Sequence, residues 1–243
     1  MIVPTNRLQP QLILRFLGWY VLAGFVLRPW CTETPGSRAG PKLNAYRLPL
    51  DTAVMADVER RQFTVTEFVR MGEVGIFSEQ ERVELFEGEI IRMNPVGARH
   101  VAGVNQLHDL FYRLLGETAI VSMQNPIVLD EHSQPLPDLV LLRPRSDGYG
   151  SALPRVADVL LLVEVAETTR QYDTVRKPRA YARSGIAEVW VVVLDRDRAR
   201  DRIEVFADRA RSAYRRSRIC ERGDELAPEL FPRCQLRVTD ILA

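Results

Sequence analysis

The chain has 243 residues, of which 46% are apolar, 27% charged and 8% aromatic. This composition is typical of a globular protein and excludes collagen-like and fully disordered chains. The 33 basic residues nearly balance the 32 acidic ones, giving a net charge of +1, so any contact with nucleic acid must come from a local basic patch.

Residues 1–54 differ in pattern from the rest of the chain. Residues 12–27 are apolar apart from Arg15, and a turn-rich stretch follows at 32–41. A membrane-spanning helix needs about 20 apolar residues, and residues 28–31 form a poor signal-peptide cleavage site. We therefore expect an unstructured N-terminal extension, or a functional start at Met55, although a signal peptide or membrane tether stays open as an alternative. We expect a cytoplasmic protein with no membrane partner.

The globular domain, predicted to span residues 55–243, begins with a helix, a hairpin and a second helix. Thr64 and Glu67 have the spacing of a helix-capping box and predict a helix over 64–70. Two extended runs around Glu87-Gly88 predict a hairpin over 82–93. Apolar residues at helical spacing predict the second helix over 100–115.

The remainder of the domain is predicted to be a sheet interrupted by one helix. The helix covers 174–184 and ends at Gly185, a residue suited to the left-handed conformation that closes a helix. Strands are predicted at 120–129, 137–143, 159–165, 189–194, 203–206 and 214–219. Several of these are short, nearly continuous apolar runs, which is typical of central strands. The fold class is therefore α/β (or α+β), with a mixed sheet flanked by helices.

Two predicted central strands each carry one acid at an end. Asp138 follows Pro137 at the start of one strand, and Glu164 lies near the end of the next. If these strands pair antiparallel, both carboxylates meet at one rim of the sheet. A buried acid needs a partner, and a divalent cation is one. Mg²⁺ takes carboxylate and carbonyl oxygens, so the carbonyl of Val165 is a third candidate ligand.

A single lysine follows these acids. Lys177 is the only lysine in residues 55–243, although the chain has 33 basic residues. Asp173, Lys177 and Tyr181 are spaced four apart, so they share one face of the predicted helix. An ammonium is a compact charge that can reach a water or a phosphate oxygen. Lys177 is therefore a candidate site residue.

These motifs resemble a known pattern in both order and spacing. Pro137-Asp138, Glu164-Val165-Ala166 and a downstream lysine resemble the core of PD-(D/E)XK nucleases. The segments 84–90, 99–100, 137–139, 163–165 and 172–190 together resemble the Uma-type restriction-endonuclease family, over about residues 63–242. The stretch from Asp173 to Trp190 is the most specific part.

The resemblance implies a restriction-endonuclease-like fold and metal-assisted hydrolysis of phosphodiester bonds in DNA. Mg²⁺, or Mn²⁺ in its place, would be held by Asp138, Glu164 and the Val165 carbonyl. Lys177 would orient a water or stabilise phosphate oxygens, and Glu84 would add a supporting or second-metal contact. The candidate DNA-binding residues are Arg99, His100, Arg143, Arg176 and Arg179, since Arg matches phosphate oxygens. A homodimer would suit the cutting of both strands.

The sequence departs from the nuclease pattern in two places. Ala166 occupies the lysine position of the E-x-K motif, so Lys177 would have to replace that lysine from the following helix. Pro178 next to it costs a backbone hydrogen bond unless the helix starts late. The alternative is therefore a catalytically inactive protein of the same fold that acts as a DNA-binding or protein-interaction module.

The other polar and aromatic motifs have structural interpretations. Tyr181 and Trp190 are expected to be core residues, and His100 could instead cap or pack at the start of its helix. Three aspartates alternate with arginines and are expected in a solvated turn: Asp195, Asp197 and Asp201. The three cysteines contain no C-x-x-C pair, so neither a disulfide framework nor a structural zinc site is expected.

Overall fold

The computed structural model describes residues 60–78, 80–167 and 171–242, together with the backbone of 20–22 and 25–27. The chain divides into two compact units, Met1–Glu59 and Arg60–Ala243. In the first unit, β1 (Tyr20–Leu22) pairs antiparallel with β2 (Phe25–Leu27). The rest of the predicted extension lies outside the described residues, so its lack of regular structure stays a prediction. Within the described residues, no helix has the length and apolar character needed to cross a membrane.

The second unit begins with the predicted capped helix. Helix α1 (Val65–Glu73) has Thr64 at its N-cap, where the Thr64 hydroxyl accepts a hydrogen bond from the Glu67 amide at 3.2 Å. The Glu67 carboxylate accepts one from the Thr64 amide at 2.9 Å. This reciprocal pair satisfies two amides that the helix itself leaves unpaired, so the capping box is confirmed.

The predicted hairpin follows. Strand β3 (Val83–Phe86) pairs antiparallel with β4 (Glu89–Arg92) around a two-residue turn. Both turn residues have positive φ, 53° at Glu87 and 76° at Gly88. A two-residue turn with this conformation matches the twist of the strands that it joins. The hairpin prediction is confirmed.

A six-stranded mixed sheet forms the centre of the unit, with the spatial order β10-β9-β8-β7-β6-β5. Its pairs are antiparallel except for β7–β8, which is parallel. The strands are β5 (Ile120–Met123), β6 (Leu139–Leu142), β7 (Val159–Ala166), β8 (Val189–Val193), β9 (Arg202–Ala210) and β10 (Ala213–Cys220). All residues of β6, β7 and β8 are buried, which explains their continuous apolar runs.

Helices cover both faces of this sheet. Helix α2 (Ala98–Leu115) packs through Leu107 and Phe111 into a core with Val163 and Trp190. The other core contains residues of the later helix together with Leu162 and Val191. Alternate residues of β7 therefore enter different cores. The predicted α/β class with a mixed sheet and flanking helices is confirmed.

A turn of π-helix comes directly before the helix that carries Lys177. Residues Tyr172–Arg176 form a π-helix, and α3 (Lys177–Ser184) continues from it. Pro178 lies in the first turn of α3, where a missing N–H costs least. Gly185, with φ of 113°, ends the helix as predicted. A late start of the regular helix therefore accommodates the proline.

Several boundaries differ from prediction. Strand β5 stops at Met123 because Gln124 adopts a positive φ of 50°, so the strand predicted over 120–129 is too long. Strands β9 and β10 are longer than predicted, since backbone pairing at the sheet edge does not require an apolar pattern. The C-terminal elements were not predicted: β11 (Glu225–Leu226), β12 (Leu236–Arg237) and α4 (Val238–Ile241).

Candidate active site

The pairing of β6 with β7 brings Asp138 and Glu164 together. The last registered pair at this end is Leu139 with Val163, so Asp138 is directly opposite Glu164. Opposite residues of an antiparallel pair point to the same face. Both side chains are almost fully buried, with 7% of Asp138 and 2% of Glu164 exposed, and both line one cavity. The convergence expected from antiparallel pairing is therefore present.

The Asp138 carboxylate is held mainly through one oxygen. Its Oδ2 accepts a hydrogen bond from the Val165 amide at 2.8 Å and lies 3.1 Å from Nε2 of His100. Its Oδ1 has a longer contact with the side-chain amide of Gln124, at 3.5 Å. Burial lowers the pKa of His100, but its hydrogen bond to Asp138 and the charge of that carboxylate raise it more, so the net pKa is raised.

Glu164 is held from the opposite side by α3. Lys177 Nζ lies 3.0 Å from Glu164 Oε1, and the Tyr181 hydroxyl donates to the same oxygen at 2.5 Å. Lys177 is the first residue of α3, and Tyr181 lies one turn later on the same face. Burial, followed by the negative charge of Glu164, raises the pKa of Tyr181 well above its usual value, so its hydroxyl remains a donor.

Two further carboxylates surround the Lys177 ammonium. Glu84 Oε1 lies 3.6 Å from Nζ, and Asp173 Oδ1 lies 3.8 Å away. Glu84, on β3, also accepts hydrogen bonds from the Leu136 amide at 3.0 Å and the Tyr172 hydroxyl at 3.1 Å. The hairpin, the sheet and the π-helical turn before α3 thus each supply an acid to this lysine.

The cluster carries more buried negative charge than Lys177 neutralises. Burial raises the pKa of Glu164 to about 8, because the Lys177 ammonium offsets only part of the burial and of the repulsion from Asp138 and other acids. Burial lowers the pKa of Lys177, but the surrounding carboxylates outweigh it and raise the value well above normal. Lys177 therefore stays charged, while Glu164 is poised between its two states.

A cavity of about 100 Å³ is lined by the four acids of the cluster and by Lys177. Its other wall contains the segment 93–97, which joins β4 to α2, and Glu167 just beyond the end of β7. A cavity of this size has room for an ion and a few waters.

The donor set fits a hard divalent cation. Within the described residues, no three His, Cys, Asp or Glu side chains are placed to bind one ion together. Asp138 and Glu164 would therefore be the side-chain ligands, a number that suits Mg²⁺. The third donor would be the Val165 carbonyl: Pro137, opposite Val165 in the β6–β7 register, has no N–H to pair with it. The excess of negative charge also favours a cation here.

The predicted DNA-binding arginines lie away from this cavity, and none of them lines it. Arg99 forms two hydrogen bonds with Asp201, at 2.8 and 3.0 Å, and Arg176 pairs with Glu87 and Glu89. Arg143 follows β6 at the end opposite Asp138 and donates to the Ala157 carbonyl. Arg179 is exposed on α3.

His100 does line the cavity, but it is only 7% exposed and lies behind Asp138. A surface contact with DNA through this side chain does not agree with its burial. The burial of His100 agrees better with its interpretation as a packing residue at the start of its helix. Its contact with Asp138 gives it a place in the site that the sequence did not reveal.

One other sequence-based interpretation is confirmed but incomplete, and one is wrong. Tyr181 is a core residue as predicted, but its hydroxyl also contacts Glu164. Its spacing of four from Lys177 was the signal that could have placed it in the site. The prediction that Asp201 is solvated is wrong, because it is 3% exposed and pairs with Arg99.

Comparisons with known proteins show a solved structure of similar fold and a matching family model. A solved structure described as a putative nuclease belonging to DUF820, from Anabaena variabilis ATCC 29413, is similar with a TM-score of 0.59 and 15% identity. The similarity covers 74% of this chain and 97% of that chain, and it shows a shared fold. A comparison with curated proteins finds no match. The family model "Uma2: Putative restriction endonuclease" matches residues 65–239. The chain therefore belongs to the Uma2 family.

Proposed function

We propose that this protein is a Mg²⁺-dependent endonuclease that hydrolyses phosphodiester bonds in DNA. The observation that carries the proposal is the convergence of Asp138, Glu164 and Lys177 on one buried cavity at a rim of the sheet. The description of the Uma2 family as "Putative restriction endonuclease" supports the choice of reaction, as does the similarity of fold to the DUF820 structure described as a "putative nuclease". Mn²⁺ would substitute for Mg²⁺.

Asp138, Glu164 and the Val165 carbonyl would hold the cation. When bound, it would supply Lewis-acid chemistry, lowering the pKa of a water and neutralising charge on the phosphate. Through its contact at 3.0 Å, Lys177 favours the ionised form of Glu164 and offsets part of the rise in pKa that burial causes. From the same position at the cavity wall, its ammonium would orient the attacking water or stabilise the phosphate oxygens. Glu84 supports Lys177 from the hairpin.

The DNA backbone would approach from the open side of the cavity. Arg179 is exposed on the helix that carries Lys177 but does not line the cavity, so it is a candidate for a phosphate farther along the backbone. Arg143, Arg176 and Arg99 remain candidates for contacts with more distant phosphates. Binding as a homodimer, which would suit cleavage of both strands, stays a prediction.

The test is a plasmid-nicking assay with Mg²⁺ or Mn²⁺. We expect Asp138→Asn and Lys177→Ala to lose on the order of 100-fold or more of the wild-type rate. Asp109→Ala is the matched control, since this aspartate is exposed on α2 outside the site. Circular dichroism of each variant checks folding. The proposal would be refuted if wild type, Asp138→Asn and Lys177→Ala nicked the plasmid at equal rates. A matched RNA substrate tests the preference for DNA.

A catalytically inactive protein of the same fold is the second candidate. The supporting observation is Ala166 in the lysine position of the E-x-K motif, together with a Lys177 ammonium that already faces three carboxylates. This candidate predicts DNA or protein binding without cleavage and little affinity for Mg²⁺. Site-specific Mg²⁺ binding, lost in Asp138→Asn, would count against it.

A further inference from the structure

In each of the two candidate metal-binding carboxylates, the two oxygens differ in their hydrogen-bond partners. Glu164 Oε1 receives the Tyr181 hydroxyl at 2.5 Å and Lys177 Nζ at 3.0 Å, whereas no described residue donates to Oε2. On Asp138, Oδ2 has two close partners, whereas among the described residues Oδ1 has only the contact of 3.5 Å with Gln124. Each carboxylate is thus anchored at one oxygen and open at the other.

The ring of Tyr181 lies in the hydrophobic core, whereas its hydroxyl group contacts the candidate site. The ring is fully buried in the core and packs edge-on against Phe86, with ring centroids 6.1 Å apart. The hydroxyl ends at Glu164, and its distance of 2.5 Å is that of a charge-assisted O–H···O⁻ bond. Because the core fixes the ring, the hydroxyl reaches the carboxylate from one direction.

We propose that Tyr181 is a positioning residue for the divalent cation. Together with Lys177 it occupies Oε1 of Glu164, fixes the rotamer of that side chain and leaves Oε2 as the oxygen available to the metal. Lys177 alone would not fix the rotamer, since its ammonium is shared with Glu84 and Asp173. The inference rests on the proposed function, because it requires that a cation binds to Glu164.

The experiment is a calorimetric titration of the full chain with Mn²⁺, comparing wild type with Tyr181→Phe. Loss of a hydrogen-bond partner behind a metal ligand weakens metal binding by about 10- to 100-fold, so we expect the Mn²⁺ Kd of Tyr181→Phe to rise at least about 10-fold. Nicking by Tyr181→Phe should then need more Mn²⁺ for half-maximal rate, while its rate at saturating Mn²⁺ stays near wild type.

Tyr214→Phe is the matched control. The Tyr214 hydroxyl donates to the Ile186 carbonyl at 3.0 Å, so this variant also loses one hydrogen bond, but outside the site. We expect its Mn²⁺ affinity to equal that of wild type. If both variants lose affinity equally, the effect of Tyr181 is only structural and the inference is overturned.

The outcomes also separate this inference from the proposed function. Binding by wild type, loss in Asp138→Asn and an unchanged Kd in Tyr181→Phe would overturn the positioning role alone. No Mn²⁺ binding by wild type, or equal binding by Asp138→Asn, would overturn the proposed function and the inference with it. A selective loss of affinity in Tyr181→Phe supports both.

Discussion

Glu164→Gln should stabilise the metal-free protein at alkaline pH. Glutamine keeps the shape of the side chain, and its carbonyl oxygen can still accept the hydrogen bonds from Lys177 and Tyr181. It removes one negative charge from a buried cluster that also contains Glu84 and Asp173. Because burial and these neighbouring charges disfavour the ionised form of Glu164, the neutral substitute should be better tolerated.

The magnitude follows from the pKa of Glu164, which is raised from 4.5 to about 8. A folded protein that binds this proton more tightly than the unfolded chain loses stability as the pH rises through that interval. At about 1.4 kcal/mol for each pKa unit, the full effect is about 5 kcal/mol. It should be absent below pH 4.5 and complete above pH 8. Glutamine does not titrate and avoids this loss.

The assay is urea unfolding of wild type and Glu164→Gln in EDTA at about pH 5 and pH 8.5. With an m-value of about 2 kcal/mol per M, the midpoint of the variant should lie about 2.5 M above that of wild type at the alkaline pH, and the two midpoints should nearly coincide at the acidic pH. Other titrating groups, such as buried Glu188, are common to both proteins. The inference that the cluster carries an excess of buried negative charge would be refuted if the variant were no more stable than wild type at pH 8.5. It would also be refuted if the difference in stability did not depend on pH.

Two substitutions outside the site test the scaffold by the same urea assay. Thr64→Ala removes the capping hydrogen bonds of α1 and should cost about 1 kcal/mol; an unchanged midpoint would show that the capping box contributes nothing. Gly88→Ala should cost more than Gly75→Ala. The two glycines have nearly equal positive φ, 76° and 75°, but a Cβ at Gly88 would lie 2.5 Å from Cβ of Gln62, whereas no described atom lies within 4 Å of a Cβ at Gly75. Equal losses would contradict this steric argument.

Local sequence signals predicted the features that depend on few neighbours. The capping box joins Thr64 and Glu67, which are three residues apart, and the turn at Glu87 and Gly88 depends on backbone conformation. The meeting of Asp138 with Glu164 could also be predicted, since it requires only that two consecutive apolar strands pair antiparallel. These features follow from chain geometry before any packing is known.

The roles of buried polar groups could not be predicted in the same way. Tyr181 has the spacing of a core residue. Its hydroxyl belongs to the site only because the folded chain places Glu164 within hydrogen-bond distance of it. Asp201 lies among exposed charges in the sequence, yet Arg99, on a helix distant in sequence, pairs with it. The change from π-helix to α-helix at Lys177 has no periodic signal in the sequence.

The central claim is that Asp138 and Glu164 seat a divalent cation. The most direct measurement is the anomalous scattering of a crystal soaked in Mn²⁺. We predict one strong peak within coordination distance of a carboxylate oxygen of Asp138, a carboxylate oxygen of Glu164 and the Val165 carbonyl. A cavity without an anomalous peak at saturating Mn²⁺, or a peak bound only at other carboxylates, would contradict the account.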